Sequence, residues 1–153
     1  MNWKAIGVAS VLALTSCSSS QDAAPSLYGN WLYTNAAGTS GIGATFKKDG
    51  TYVWTTLALT SQTSGNAEIE TGTFRATGST IVFTPQQYSC PGPYPPITWK
   101  YTLSSSALVF SFPTGAISMK PNNEPASDSF TVVFGCFAKD GSFTKRELTP
   151  VTN

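Results

Sequence analysis

Ser142-Phe143-Thr144-Lys145 places a serine three residues before a lysine. On one turn of a helix that spacing brings a hydroxyl nucleophile to an amine base. Here the segment follows Asp140-Gly141, a hairpin signal, and in a strand residues three apart point to opposite faces. Coincidence is the better account. Glu68 and Glu70 stand two apart, on one face of a strand, where paired carboxylates can do acid–base work. The reading preferred for them is a solvated face beside Arg75 or a lysine. Asp49 and Asp140 each precede a glycine and read as turn residues that bond the local backbone. Asn122, Asn123, Glu124 and Asp128 offer oxygen atoms to a calcium ion, but at no ligand spacing, so no metal is expected. The chain contains no histidine, which removes Ser-His-Asp and Cys-His activation and every histidine-bearing zinc site. It also has no phosphate-cradling glycine loop and no Cys-x-x-Cys. Nothing supports an enzyme or a cofactor.

The elements that would carry these residues are strands. At 153 residues the chain has room for one domain. Nine basic against eight acidic side chains leave no footprint for nucleic acid. Past Tyr28 no window repeats apolar residues at helical spacing, and β-branched, aromatic, glycine and proline residues dominate. Alternating runs predict strands at Asn30–Asn35, Ile42–Lys47, Thr51–Thr60, Ala67–Thr77, Thr80–Thr84, Thr98–Leu103, Ala107–Phe112, Ser129–Ala138 and Ser142–Leu148. Lys48-Asp49-Gly50 and Lys139-Asp140-Gly141 predict two like hairpins with a bulge at the glycine, setting Phe46 beside Tyr52. Short connections join sequential neighbours, so the sheet is an antiparallel meander. Trp99, Tyr101 and Leu103 oppose Thr98, Lys100 and Thr102, and Leu108, Phe110 and Phe112 oppose Val109 and Ser111. Phe137 falls out of phase with Phe130, Val132 and Phe134, and a bulge at Gly135-Cys136 would restore it. One face so aromatic must be buried, and without helices the sheet has to close on itself or pack on another. The expectation is all-β, about eight or nine strands closed into a small barrel.

Two stretches resemble known families. Lys4 and the apolar run Ala5–Leu14 are too short to span a bilayer and have the form of an export signal. Leu14-Thr15-Ser16-Cys17 resembles the lipobox of bacterial lipoproteins. The resemblance implies cleavage of residues 1–16, acylation of Cys17, a flexible tether over 17–27 and a folded domain over 28–153. Several acyl chains on one residue hold a protein to a membrane. Ser18, in place of aspartate, suggests the outer membrane where the cell has one. Loss of Lys4 leaves eight basic and eight acidic side chains.

Gly29-Asn30-Trp31 at the first strand, then Thr45, Phe46, Asp49, Gly50, Thr51 and Tyr52, then Gly72-Thr73-Phe74 with Gly78, Ile81 and Phe83, are similar to lipocalin-like lipoproteins of the calycin group. The likeness implies a lipocalin-like barrel in which Trp31 packs at the closed end under a late arginine. Arg146 is the residue placed for it, in a cation–π contact of about 0.5–2 kcal/mol. A barrel of this kind can hold one small ligand or be filled by its own side chains. The residues expected to line such a cavity are Tyr52, Trp54, Phe74, Phe83, Trp99 and Phe110.

With Cys17 assigned to acylation, Cys90 and Cys136 remain as a pair. In an exported domain a disulfide is the default, with free thiols the alternative. The bond would fasten the proline-rich loop Pro85–Pro96 to the strand carrying Phe134 and Phe137, either as a stapled connection or as a lid displaying Tyr88 and Tyr94. The expected function is that of a lipid-anchored, non-enzymatic envelope lipoprotein binding a small apolar molecule in its barrel. The alternative is a module that binds an envelope protein, or inhibits an enzyme, through the loop 85–96.

Overall fold

The computed structural model describes residues 26–124 and 130–151. Cys17 with its lipobox, the tether as far as residue 25, and Asp128 lie outside the described residues. Eight strands follow one another as β1 Gly29–Thr34, β2 Ser40–Phe46, β3 Thr51–Leu59, β4 Ser64–Thr77, β5 Thr80–Tyr88, β6 Ile97–Leu103, β7 Leu108–Phe112 and β8 Gly115–Pro121. Each pairs antiparallel with the next. β1 closes on β8 through Trp31↔Pro121 and Leu32↔Lys120. The fold is therefore all-β, an eight-stranded closed meander with the shape of a small lipocalin-like barrel. Three further strands lie outside it: β9 Thr131–Phe137, β10 Phe143–Lys145 and β11 Thr149–Pro150.

The two Asp-Gly hairpins are built alike. Oδ1 of Asp49 accepts the N–H of Thr51 at 2.9 Å and its hydroxyl at 2.6 Å, and Oδ1 of Asp140 holds Ser142 in the same way at 2.9 and 2.7 Å. Gly50 and Gly141 take φ of 82° and 83°, which a side chain would resist. The turns set Phe46 opposite Tyr52 and Phe137 opposite Phe143.

Inward rows from every strand meet in one core containing Trp31, Phe46, Tyr52, Ile81, Phe83, Leu108, Phe110 and Met119. Phe83 sits at its centre, with ring centroids of Tyr52, Trp99 and Phe110 at 5.0, 5.3 and 6.0 Å. Each inclined aromatic pair contributes about 0.5–1.5 kcal/mol beyond its buried area. Leu27 is buried in the same core, and Trp31 Nε1 donates to its carbonyl at 2.9 Å. The end of the barrel where β1 begins is thus filled.

The departures from expectation have physical causes. β8 carries only Ile117 and Met119 as alternating apolar positions between glycine and proline, a pattern too sparse to read as a strand, although Met119 is wholly buried. Of the segments 129–138 and 142–148, expected to complete the barrel, the strands β9 and β10 lie outside it because β8 completes it. β4 is 14 residues long and outruns β5, so its first residues, Ser64–Ala67, pair with β9 in parallel. β9 contains no bulge at Gly135-Cys136, since Phe137, Cys136 and Gly135 pair in unbroken register with Phe143, Thr144 and Lys145. Phe137 keeps its own phase because it packs on Phe143 at 4.9 Å. A Cβ on Gly135 would lie 2.5 Å from that Phe143 ring, so the glycine is what lets the ring cross β9. Phe130 and Val132, on the other face, cover Leu57 and Ala67 in a second small core outside the barrel. Finally, Pro85–Tyr88 belongs to β5 and not to the loop. The ladder shifts register between Thr71 and Gly72, opposite Pro85, and a bulge is where a residue without an N–H can sit inside a sheet.

Candidate functional site

Glu68 and Glu70 do not form a solvated face beside Arg75. β3 and β4 pair Thr56 with Glu68, Trp54 with Glu70 and Tyr52 with Gly72, and directly paired residues share a face. Both carboxylates therefore point to the inner side with Tyr52 and Trp54, and Arg75, five residues beyond Glu70, is exposed on the outer one. Ala67 and Ile69 look like the core row of this strand and are indeed apolar, but the core they face is on the outside, where Phe130 and Val132 lie over Ala67. The alternation is genuine. Its polarity is reversed by the returning chain.

Glu68 ties three segments together. Its Oε1 accepts the backbone N–H of Phe137 at 2.7 Å, and its Oε2 accepts the Tyr88 hydroxyl at 3.2 Å. Beside it Cys90 and Cys136 form the expected disulfide, with Cα atoms 4.9 Å apart across 46 positions of sequence. The Glu68 carboxylate and these two sulfurs lie within 4.8 Å of one another, but sulfurs bonded to each other offer no thiolate to a metal. Tyr88 is an inward residue of β5, half-buried, with the ring of Tyr94 against it at a centroid distance of 4.3 Å. Tyr94 in turn donates its hydroxyl to the Pro91 carbonyl at 3.3 Å. The two tyrosines pack on each other, Tyr94 remaining part-exposed, and the disulfide at Cys90 staples the loop after β5 to β9.

Glu70 accepts a hydrogen bond from the Tyr52 hydroxyl on Oε1. Its Oε2 accepts none among the described residues, yet is not sealed from solvent. Burial pushes the Glu70 carboxyl above its ordinary value, against the opposing pull of the Tyr52 bond. Burial first, then the bond to Glu70, pushes the Tyr52 hydroxyl far up. Burial and the charges of Glu68 and Glu70 do the same to Tyr88. Both phenols stay neutral donors.

Between β3, β4, β5 and β6, away from the filled end, is a cavity of about 190 Å³ bounded by Tyr52, Trp54, Thr56, Glu70, Phe83, Pro85, Tyr88, Ile97 and Trp99. Of the residues expected to line a cavity, Tyr52, Trp54, Phe83 and Trp99 do so. Phe110 is fully buried beneath, its centroid 5.8 Å from Trp54 and 5.6 Å from Trp99. Phe74 is placed elsewhere, packed on Phe46 and Tyr28 toward the filled end. The sequence reading missed Glu70 and Tyr88 as lining residues. Glu70 comes to the cavity through the β3–β4 register, which pairs it with Trp54 and which the β2–β3 hairpin at Asp49-Gly50 does not set.

The remaining expected pairs are not brought together. Trp31 is buried in the barrel, whereas Arg146 is exposed just after β10, its N–H bonded to the Phe134 carbonyl at 3.1 Å. The last barrel strand is β8, so a residue on the β10 side cannot close the barrel over Trp31. Ser142 commits its hydroxyl to Asp140, and Lys145 is exposed and not in contact with it. Comparison of the chain with protein-family models, with curated proteins and with solved structures finds no match.

Proposed function

We propose that the protein is a lipid-anchored, non-enzymatic lipoprotein of the bacterial cell envelope, held by acylated Cys17 at the outer membrane, whose barrel binds a small ligand. The observation that carries the ligand reading is the cavity of about 190 Å³ bounded by Tyr52, Trp54, Phe83 and Trp99. Ligand sites are concave, mostly apolar, and carry a few placed polar groups; Glu70 is that group here. Leu27, which precedes β1, is buried in the barrel core and does not bound this cavity. The packing of Tyr88 on Tyr94 speaks against presentation of an aromatic patch by the loop.

Native mass spectrometry of the full chain, extracted from its own envelope in mild detergent, tests the ligand reading. A co-purifying small molecule, lost on Trp99→Ala, is the expected result. A protein partner in its place would shift the reading to the loop 85–96. The anchor is tested separately by labelling with a radioactive fatty acid, which Cys17→Ser should abolish.

A further inference from the structure

We infer that the cavity takes a small organic cation, an alkylammonium group of about the size of the choline head, with Glu70 as counter-charge and Trp54 and Trp99 as walls. The inference rests on the reading of this cavity as a ligand site and names the chemical class. The walls come first. Trp54 and Trp99 stand at 73° with centroids 5.5 Å apart, and Phe83 stands at 69° to Trp99 at 5.3 Å. These edge-to-face rings bound the cavity together with Glu70. The face of an aromatic ring carries negative charge density and attracts a cation, most strongly for tryptophan.

The charge is the second observation. Glu70 is the one charged residue bounding the cavity, and neither it nor the neighbouring Glu68 has a basic partner among the described residues. Arg75 and Lys100, on the strands that form the walls, are exposed on the outer side. A neutral apolar ligand seated here would leave the Glu70 carboxylate with the Tyr52 hydroxyl as its sole partner or force it to take up a proton, and either costs affinity. An anion would be repelled. A cation with an apolar shell satisfies both the carboxylate and the rings, and the unbonded Oε2 of Glu70 is the atom it would meet.

Size is the third. A cavity of about 190 Å³ has the volume of roughly six waters at about 30 Å³ each. That suits a nitrogen bearing three or four small alkyl groups. Ile97, which is 42% exposed, bounds the cavity and marks its mouth.

The test uses the full chain in detergent and the fluorescence of Trp54 and Trp99. The probes are tetramethylammonium, choline, and the carbon isostere of choline in which a quaternary carbon replaces nitrogen. The expected result is saturable binding of both cations, about tenfold or more tighter than the isostere. Glu70→Gln, which keeps an acceptor for Tyr52, should weaken the cations about tenfold and strengthen the isostere. Should that variant not fold, Trp99→Phe should weaken the cations several-fold, since phenylalanine is the poorer cation–π partner. Equal binding of choline and its isostere, unmoved by Glu70→Gln, would overturn the cation assignment and leave a neutral-ligand cavity standing. No saturable binding of any probe by folded protein would overturn the cation assignment as well, and native mass spectra without any small molecule would take the ligand reading with it.

Discussion

The backbone N–H of Phe137 donates to Oε1 of Glu68 at 2.7 Å, joining positions 69 residues apart. The other carboxylate oxygen holds the Tyr88 hydroxyl, so one side chain fastens both β9 and β5 to β4 where the sheet divides between them. Hydrogen bonds to a charged group contribute about 1.5–3 kcal/mol each, and their loss leaves a half-buried N–H and a phenol without partners. Glu68→Ala should lower the unfolding free energy by about 2–4 kcal/mol, and Glu68→Gln by about half as much. Urea unfolding followed by tryptophan fluorescence measures it. A loss below about 0.5 kcal/mol would mean that water replaces both bonds.

Gly72 lies at the register shift, where a Cβ would be 2.2 Å from the Thr84 carbonyl oxygen and 2.9 Å from Cα of Pro85. Both obstacles are backbone and cannot swing aside. Gly72→Ala should therefore cost about 3 kcal/mol or more, the range of strained or overpacked sites. It should also disturb Tyr52, whose ring a Cβ would meet at 2.9 Å. A thermal melt within about 2 °C of wild type would show that the two strands can separate there without loss.

The barrel is legible in the chain because its determinants are local. Asp49-Gly50 fixes one hairpin, and the alternation in Thr98–Leu103 and Leu108–Phe112 fixes which side is inside. What escapes is long-range. Nothing near Ala67 announces that Phe130 and Val132, more than sixty residues later, will cover it, and so Glu68 and Glu70 read as solvated when they face inward. The same blindness misplaced Arg146, because the sparse strand Gly115–Pro121 takes the closing position. Of the six aromatics expected to line a cavity, four bound this one and Phe74 and Phe110 do not, whereas the one charge among them required knowledge of which strand lies over which.

Thr55 is 2% exposed, and its hydroxyl is the one buried side-chain polar atom without a hydrogen-bond partner among the described residues. An unsatisfied buried hydroxyl costs about 1–3 kcal/mol, and valine has the same shape without it. Thr55→Val should stabilise the protein by about 1 kcal/mol, seen as a higher urea midpoint at unchanged slope. A lower midpoint would reveal a partner for the hydroxyl.

The Cys90–Cys136 bond closes a loop over 46 positions of sequence, for which chain entropy allows about 4 kcal/mol and typical measured values are about 2–4 kcal/mol. The double variant Cys90→Ser/Cys136→Ser should lose stability in that range, and reductant should lower the wild-type midpoint toward it without moving the variant. Thiol titration of the denatured Cys17→Ser chain should find no free thiol before reduction. Two free thiols would replace the bond with the alternative.

Glu70 gives the stability a pH dependence whose sign can be worked out. Burial raises its carboxyl above the ordinary 4.5 in the folded protein, the Tyr52 bond opposing without cancelling the effect. Tyr52, Tyr88, Tyr94 and Glu68 are the titratable groups around it, and the tyrosines are held neutral by their own raised values. A raised folded value means that the folded state holds the proton more tightly than the unfolded chain. Its contribution is fully present below the unfolded value and is lost as pH rises through the folded one. Glu70→Gln resembles the protonated form at every pH. The variant should therefore match wild type near pH 4 and become the more stable of the two as pH rises toward neutrality. Chemical unfolding of both proteins across that window checks it, and a gap that narrows with rising pH would mean that the ionised carboxylate is already satisfied inside the barrel.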